Sequence, residues 1–598
     1  MSVYRAPLRD IGFVLHDVLK IGTYANLPAF SEASPDIVAA VLEEAGRLCE
    51  NVLYPLNEIG DRQGCTYDPK THSVKTPEGF KDAYRQFTDG GWVGLSSVPE
   101  FGGQGLPAVL GLAVNEMVVS SNWSFSMYPG LSHGAYSAIL AHGTDDQRAT
   151  YLPNLISGKW SGTMNLTEPH CGTDLGLMRT RAEPRGDGSY RITGTKIWIS
   201  SGEHDLTENT IHLVLAKIPG GPEGIKGISL FIVPKFLVNA DGSLGARNAA
   251  FCGGLEHKMG IHGNATCVMN YEGATGYLIG EAHKGMRAMF TMMNEARLGV
   301  ALQGLAISEV AYQNAVAFAR DRLQGRSLTG PKNPDGPADP IIVHPDVRRM
   351  LMDVRCFNEG ARALILWLGL WADLEHRSDD AATRQKGADY MALLTPVVKA
   401  YMTDQGFQGA VTSQQVLGGS GFTRHYPLEQ FVRDARIGMI YEGANGIQAL
   451  DLVGRKLAQN GGRGLFAFLA EVGEEAAALS AVDELRPWGN ALDDARHFLE
   501  EATNWMMENG LRNPDNAGAG SYDYLYLTAL VALGLVWSRM IRVCREALAA
   551  GTDDRAFHEA KLATARHFFE RVLPSAQLHA LRVKAGAEGL MTLPAEAF

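Results

Sequence analysis

Three segments of this 598-residue chain carry residue types at spacings that could do chemistry. The first is MNLTEPHCGTD at 164–174, followed by KIWISSG at 196–202. The second is FARDRLQGRS at 318–327, and the third runs from QQVLGGSGF at 414 through RDARIGMIYEGANG to Leu457. Within the third, Glu442 stands in apolar company, close to Ile437, Met439 and Ile440. Apolar surroundings disfavour the charged form of a carboxylate and raise its affinity for a proton, which suits a general base. Read alone, Tyr-Glu-Gly is better explained as an acid near a helix N-terminus, stabilised by the helix dipole. Other chemistries lack their signatures. There is no Walker-type phosphate loop, no G-x-S-x-G elbow and no H-E-x-x-H. The loose G-x-G-x-x-A match at Gly103–Ala108 contains Pro107 and follows no strand pattern, so it is a chance match. Seven scattered cysteines form no C-x-x-C pair and no zinc-like spacing with histidine, so no metal site is expected.

The elements that must position these segments change character along the chain. Residues 1–160 read mostly as helices, among them 34–51, with Ser34 as N-cap and Pro35 at the first helical position. From 161 to 280 short apolar runs take over (SYRITG, KIWIS, TIHLVLAKI, GISLFIV, TCVMNY), separated by Gly, Asp and Asn turns. That pattern predicts an antiparallel β-domain. From 281 to 460 three long helical patterns follow, the last two apolar on much of their surface and so predicted to be buried in a bundle or interface. QNGGRG then marks a linker to a further helical block at 461–598. The fold class is α+β, in the order helical, β, helical, extra helical. The longest apolar stretch, Tyr524–Ser538, is shorter than the ~20 residues of a membrane span, and we expect a buried helix.

Four motifs now align in order: T-E-P-x-x-G-T-D at 167–174, W-I-S at 198–200, Q-x-x-G-G-x-G-F at 415–422 and R-D-x-R-I-x-x-I-Y-E-G at 433–443. Over roughly residues 40–457 the chain resembles the acyl-CoA dehydrogenases. Its length, the YRAPLRD start and the extra helical block resemble the long bacterial branch, which includes 3-methylmercaptopropionyl-CoA and long fatty acyl-CoA dehydrogenases. The resemblance implies FAD as cofactor and an acyl-CoA thioester as substrate, desaturated to the trans-2-enoyl-CoA. Glu442 would abstract the α-proton while the β-hydride passes to the flavin. It further implies flavin contacts from Met164, Leu166, Thr167, Trp198, Ile199 and Ser200, and pyrophosphate contacts from Gly172 and Thr173. Arg322 and Gln324 would reach the FAD of a neighbouring subunit, and Gln415, Gly418 and Gly419 would grip its adenosine end. Thr173, Asn294, Arg297 and Gly443 would face the substrate. Such sharing of FAD implies a homo-oligomer, with the extra block favouring a dimer. The sequence departs from the family pattern at Met164, commonly aromatic, at Ala444, commonly a hydroxyl residue, and at Pro345, commonly glutamine.

Partners follow from charge. A net charge of −12 argues against nucleic acid. A DNA-binding relative would need a basic terminal block, yet residues 461–598 hold 13 Lys/Arg against 19 Asp/Glu. An electron-transfer flavoprotein is the expected acceptor, with an acyl-CoA oxidase that reduces oxygen as the alternative. Acidic residues among the first nineteen argue against a targeting peptide, and the cysteine usage fits a bacterial cytoplasm.

Overall fold

The computed structural model describes residues 3–598, apart from the side chains of residues 294 and 295. The chain forms two compact units, one from Glu44–Leu106 with Met117–Gly299 and one from the segment ending at Glu43, Pro107–Glu116 and Val300–Phe598.

A seven-stranded sheet centres the first unit. Its strands are β1 (Trp160–Asn165), β2 (Arg181–Pro184), β3 (Tyr190–Ser200), β4 (Asn209–Lys217), β5 (Ile228–Pro234), β6 (Ala250–Leu255) and β7 (Thr266–Ile279). The order is β6-β7-β3-β2-β4-β1, and β5 pairs with both β4 and β7. The expected antiparallel sheet is corrected around β4: β1 runs parallel to it from Trp160↔Asn209 to Asn165↔Val214, and β2 meets it in parallel at Arg181↔Lys217. Parallel neighbours need a long crossover, and residues 166–208 supply one that no local turn signal reveals. β4 and β5 are buried on both faces, which is why they read as unbroken apolar runs. Two further hairpins join Thr66–Asp68 to Ser73–Lys75 and Phe236–Val238 to Leu244–Arg247. The first interrupts the stretch expected to be helical.

Helices α1 (Trp123–His142) and α2 (Asp145–Ile156) cover one face of this sheet, placing Ala135, Ile139, Leu152 and Leu155 in one core with Ile211, Leu213 and Leu230. Both start on side-chain caps. Asn122 accepts the Phe125 N–H at 3.0 Å, and Thr144 with Gln147 closes a capping box.

Long helices dominate the second unit: α3 (Gly285–Asp321, from Val300 onward), α4 (Pro345–Arg377) and α5 (Ala381–Val416). α3 and α5 approach closely through glycine. A Cβ on Gly304 would lie 2.2 Å from the Met402 carbonyl oxygen, and one on Gly406 would lie 2.2 Å from that of Gly304. Short α6 (Asn445–Asp451) follows, and then the terminal block α7 (Arg463–Ser480), α8 (Arg486–Arg512), α9 (Pro514–Ala549), α10 (Arg555–His567) and α11 (Ser575–Lys584). By length and composition α9 could cross a membrane, but 83% of its most apolar window is buried in the protein. It packs against α4, α5 and α6.

A buried charge cluster ties this unit together. Arg362, 2% exposed, contacts Glu116 at 2.6 Å, Asp10 at 2.5 Å and Glu309 at 3.1 Å. Lys561 of α10 bonds Asp10 and lies 2.8 Å from Glu359. Burial alone would raise the Asp10 carboxyl, but Lys561 and Arg362 outweigh it and hold it at about 2.

Candidate active site

In the first unit, β1 runs into the loop carrying Thr167–Asp174. Glu168 and Cys171 exchange backbone hydrogen bonds of 2.8 and 3.1 Å across a tight turn. The Glu168 carboxylate is buried and accepts from the Arg179 N–H at 2.7 Å, the Thr180 N–H at 3.0 Å, the Thr180 hydroxyl at 2.5 Å and Lys196 Nζ at 2.9 Å. Lys196, 0% exposed, also donates to the Leu166 carbonyl at 2.9 Å. Burial brings the Lys196 ammonium down to about 8, in spite of Glu168. The Ile197 N–H donates to the Thr167 carbonyl at 3.0 Å, so the loop is stitched to β3. His170 and Cys171 place ligand-type atoms within 4.8 Å of Glu168. The donors already on Glu168 make this trio a loop brace rather than an open cation site.

Immediately beside this brace Trp198 leaves the regular strand. Its φ is +60°, in the left-handed region, and its side chain is 61% exposed. The β3–β7 register shifts there, between Cys267 and Met269. A bulge re-aims a side chain, and a bulky residue at positive φ is strained, so the sheet is shaped here to present an indole outward. Thr173 and Gly172 are exposed, and Thr167, Ser200, Met164 and Leu166 are half-buried. Ile199 points into the core and offers only its backbone outward. Arg297 is buried, its guanidinium 5.9 Å from the Phe290 ring centre. The Asn294 side chain lies outside the described residues.

Glu442 lies in the second unit, in the turn between the short helical segment Arg436–Met439 and α6. It is half-buried, with φ +56°, and Gly443 follows at +88°. A glutamate at positive φ costs backbone energy that the surroundings must offset, whereas the glycine after it adopts such a φ freely. Four side chains supply the hold. Gln448 Nε2 donates to the Glu442 and Gly443 carbonyls at 3.3 and 3.1 Å. Lys399 Nζ, 0% exposed, donates to the Gly443 carbonyl at 2.8 Å and to Asn445 Oδ1 at 2.9 Å. Asn445 Nδ2 donates to Asp404 Oδ1 at 2.8 Å and to Thr403 Oγ1 at 2.9 Å. The Tyr441 hydroxyl bonds Gln303. α6 begins at Asn445, with Ala444 at its N-cap position.

Arg322, Gln324, Gln415, Gly418 and Gly419 are all exposed on the second unit. Gly418 has φ +56° and open space where a Cβ would stand. The Arg322–Gln324 segment is set by backbone bonds to residues 339–341 and by His344 Nε2, which donates to the Gln324 carbonyl at 2.7 Å. Beneath them, buried Asp339 accepts from the backbone N–H groups of Ser327, Lys332 and Asn333 at 2.7–2.9 Å. Those bonds, Ser327's first, hold its carboxyl at about 2.

Sequence reading missed Lys196, Lys399, Asp404, Asn445 and Gln448 as organisers. A signal existed for the two lysines. Each interrupts an apolar run (TKIWI, PVVKAYM), and a lysine there must find a buried acceptor. Lys196→Met should destabilise the first unit by about 3–5 kcal/mol, because it strands the Glu168 charge. Hydrogen exchange should quicken in residues 166–180, and a variant with unchanged exchange there would remove the brace.

Comparison with known proteins places these features in context. The model described as "Acyl-CoA dehydrogenase, N-terminal domain" matches residues 40–159, its middle-domain counterpart 163–274 and its C-terminal-domain counterpart 283–457. "Acetyl-CoA dehydrogenase C-terminal like" matches 468–594. The chain is 43% identical to the 3-methylmercaptopropionyl-CoA dehydrogenase of Ruegeria pomeroyi, covering 98% of this chain and 99% of that one. It is 35% identical to the broad-specificity linear acyl-CoA dehydrogenase FadE5 of Mycobacterium tuberculosis, over 96% of each. Its fold matches the acyl-CoA dehydrogenase of Bacillus anthracis complexed with FAD, with a TM-score of 0.73 and 20% identity over 92% of this chain and 88% of that one.

Proposed function

The chain belongs to the acyl-CoA dehydrogenase family, and on that basis we propose that it desaturates an acyl-CoA between Cα and Cβ, with Glu442 as the base that takes the α-proton. The observation that carries the reading is the strained Glu442–Gly443 turn, held by Lys399, Asn445 and Gln448. A strained acid braced by three buried side chains is costly to build, and such cost persists where a carboxylate must stand at one point.

The residues of the first unit fit FAD. Trp198 offers an exposed ring face, Thr167 and Ser200 offer hydroxyls, and the exposed Gly172–Thr173 backbone suits a phosphate. When bound, FAD supplies the acceptor for the β-hydride. This chain's own residues do the rest. Glu442 receives the α-proton on its carboxylate. Its backbone N–H, turned by the positive φ, donates to the thioester oxygen as negative charge develops there. Ile437 and Met439, half-buried, and Ile440, exposed, precede the carboxylate within five residues and give this stretch its apolar character.

The substrate we favour is a short acyl-CoA, 3-methylmercaptopropionyl-CoA in particular, supported by the 43% identity along nearly the whole chain. One methylene is worth only about 1–3 kcal/mol of discrimination, so neighbouring straight chains should also react. The test is anaerobic bleaching of the bound flavin by acyl-CoAs from butyryl to palmitoyl, with 3-methylmercaptopropionyl-CoA alongside. No bleaching by any of them would defeat the proposal. Reoxidation by an electron-transfer flavoprotein, without peroxide release, would support the dehydrogenase over the oxidase.

We also read Arg322, Gln324, Gln415, Gly418 and Gly419 as contacts to FAD held with a second copy of the chain, which makes the working form a homodimer. Arg322→Ala should then lower FAD retention about tenfold through a lost charge-assisted phosphate contact. The deficit should deepen on dilution. Full retention of FAD by a protein sedimenting as a monomer would count against this. All seven cysteines are free and the membrane-length helix is buried, which supports a reducing, cytoplasmic setting.

A further inference from the structure

We infer that the terminal helical block supports catalysis directly, because Tyr522 and Tyr526 of α9 are positioning residues that hold the Glu442 turn through Asp404 and Asn445. This deepens the reading of Glu442 as the base and rests on it.

The connection can be followed atom by atom. The Tyr526 hydroxyl donates to Asp404 Oδ2 at 2.8 Å, and the Tyr522 hydroxyl donates to the same oxygen. The other oxygen, Oδ1, accepts from Asn445 Nδ2 at 2.8 Å. Asn445 Oδ1 in turn accepts from Lys399 Nζ, which also holds the Gly443 carbonyl at 2.8 Å, one residue from Glu442. Asp404, Asn445 and Lys399 are all buried. The two tyrosines are four residues apart on one helix, so their rings stack, with centres 5.4 Å apart, and their hydroxyls converge. The Tyr401 ring meets that of Tyr526 edge-on at 5.1 Å and limits its swing.

Three considerations separate this from ordinary packing. First, the block has its own apolar core, with Leu492, Leu530, Trp537 and Phe568 all buried, and does not need two hydroxyls aimed outward to fold. Second, the hydroxyls meet on a single carboxylate oxygen of α5, and that carboxylate's other oxygen holds the first residue of α6. A neutral phenol is a strong donor to a carboxylate, and burial with the neighbouring Asp404 raises both phenols well above their ordinary range, so they stay protonated donors. Third, a turn that holds a glutamate at positive φ keeps its geometry only while its partners are fixed. With both hydroxyls gone, buried Asp404 loses two donors. It must then re-bond through Asn445 or admit water, and either shift passes to Gly443 through Lys399.

The experiment uses the full FAD-loaded protein. Tyr522→Phe with Tyr526→Phe should lower kcat about tenfold or more, since small misplacements of a catalytic group are that costly. KM and flavin content should stay near those of the unaltered protein. The isotope effect with α-deuterated acyl-CoA should rise, because proton removal is the step that slows. Tyr524→Phe is the control on the same helix. Its hydroxyl meets Thr503 Oγ1 at 2.7 Å inside the block, so its loss should lower Tm and leave kcat and the isotope effect unchanged. A double variant within about twofold of normal kcat, with an unchanged isotope effect, would overturn the inference. So would equal losses of kcat in the double variant and the control. If the double variant does not fold, each single variant reads the same split between kcat and KM. An unaltered protein that bleaches with no acyl-CoA would take down the proposed function as well, whereas a reactive one with unaffected variants would sink this link alone.

Discussion

Glu442→Gln should lower kcat by about 10²–10⁴-fold, the usual worth of a positioned base. The amide keeps the shape and the hydrogen-bonding reach of the acid but cannot take a proton at neutral pH. The flavin should stay bound, because the Thr167–Asp174 loop and Trp198 are built in the first unit from Glu168, Lys196 and the β3–β7 bulge. Acyl-CoA affinity should change little, since the backbone N–H of residue 442 is retained. Stopped-flow flavin reduction and equilibrium titration with acyl-CoA check the two halves separately. Turnover near that of the unaltered protein would leave the chain without its base. Glu442→Asp should fall between the two, because it keeps the carboxylate but withdraws it by one methylene, and a misplacement near 1 Å can cost about 10²-fold.

The second large effect concerns stability. Arg362→Met keeps most of the volume of Arg362 but strands Glu116 and takes one partner from Asp10 and from Glu309, and it should cost about 3–5 kcal/mol in urea unfolding. The deficit should shrink as the pH is lowered. Burial already raises the Glu116 carboxyl above its ordinary range, with Arg362 opposing it, so without that cation Glu116 can remove its own charge by taking a proton. Asp10 in the unaltered protein behaves in the opposite sense. Its folded value, about 2, lies below its unfolded one. The stability it contributes is present above about pH 4 and is lost as the pH falls towards 2, a change of about 2 kcal/mol. In Lys561→Met this acid-linked part should be smaller, because the cation that attracts the Asp10 carboxylate more strongly is gone. A deficit in Arg362→Met that is the same at every pH would show that Glu116 is not the stranded group.

Much of this protein was legible residue by residue. The change from helical period to short β-branched runs and back gave the α+β order, because side-chain period follows directly from local backbone geometry. Ser34 before Pro35 marked a helix start, and the Ile37 N–H indeed lies 3.4 Å from Ser34 Oγ. The stretch Tyr524–Ser538 read as a buried helix because fifteen residues without charge, in a chain of ordinary composition, have nowhere else to go. Glu442 stood out through its ordered motif. What the motif could not supply was the left-handed backbone at 442 and at Trp198, since neither residue type asks for it.

Tertiary structure alone decided the remainder. β1 lies parallel to β4 because sheet order is fixed by burial of the whole sheet, and no pair of neighbouring residues encodes it. Asp10 meets Arg362 and Lys561 across 352 and 551 positions, and Asp404 meets Tyr522 and Tyr526 across 118 and 122. In a sequence each of these is only a charged or polar residue, as readily solvated as paired. Which acceptor a buried donor finds depends on how the helices pack, and that is settled by apolar surface summed over the entire unit.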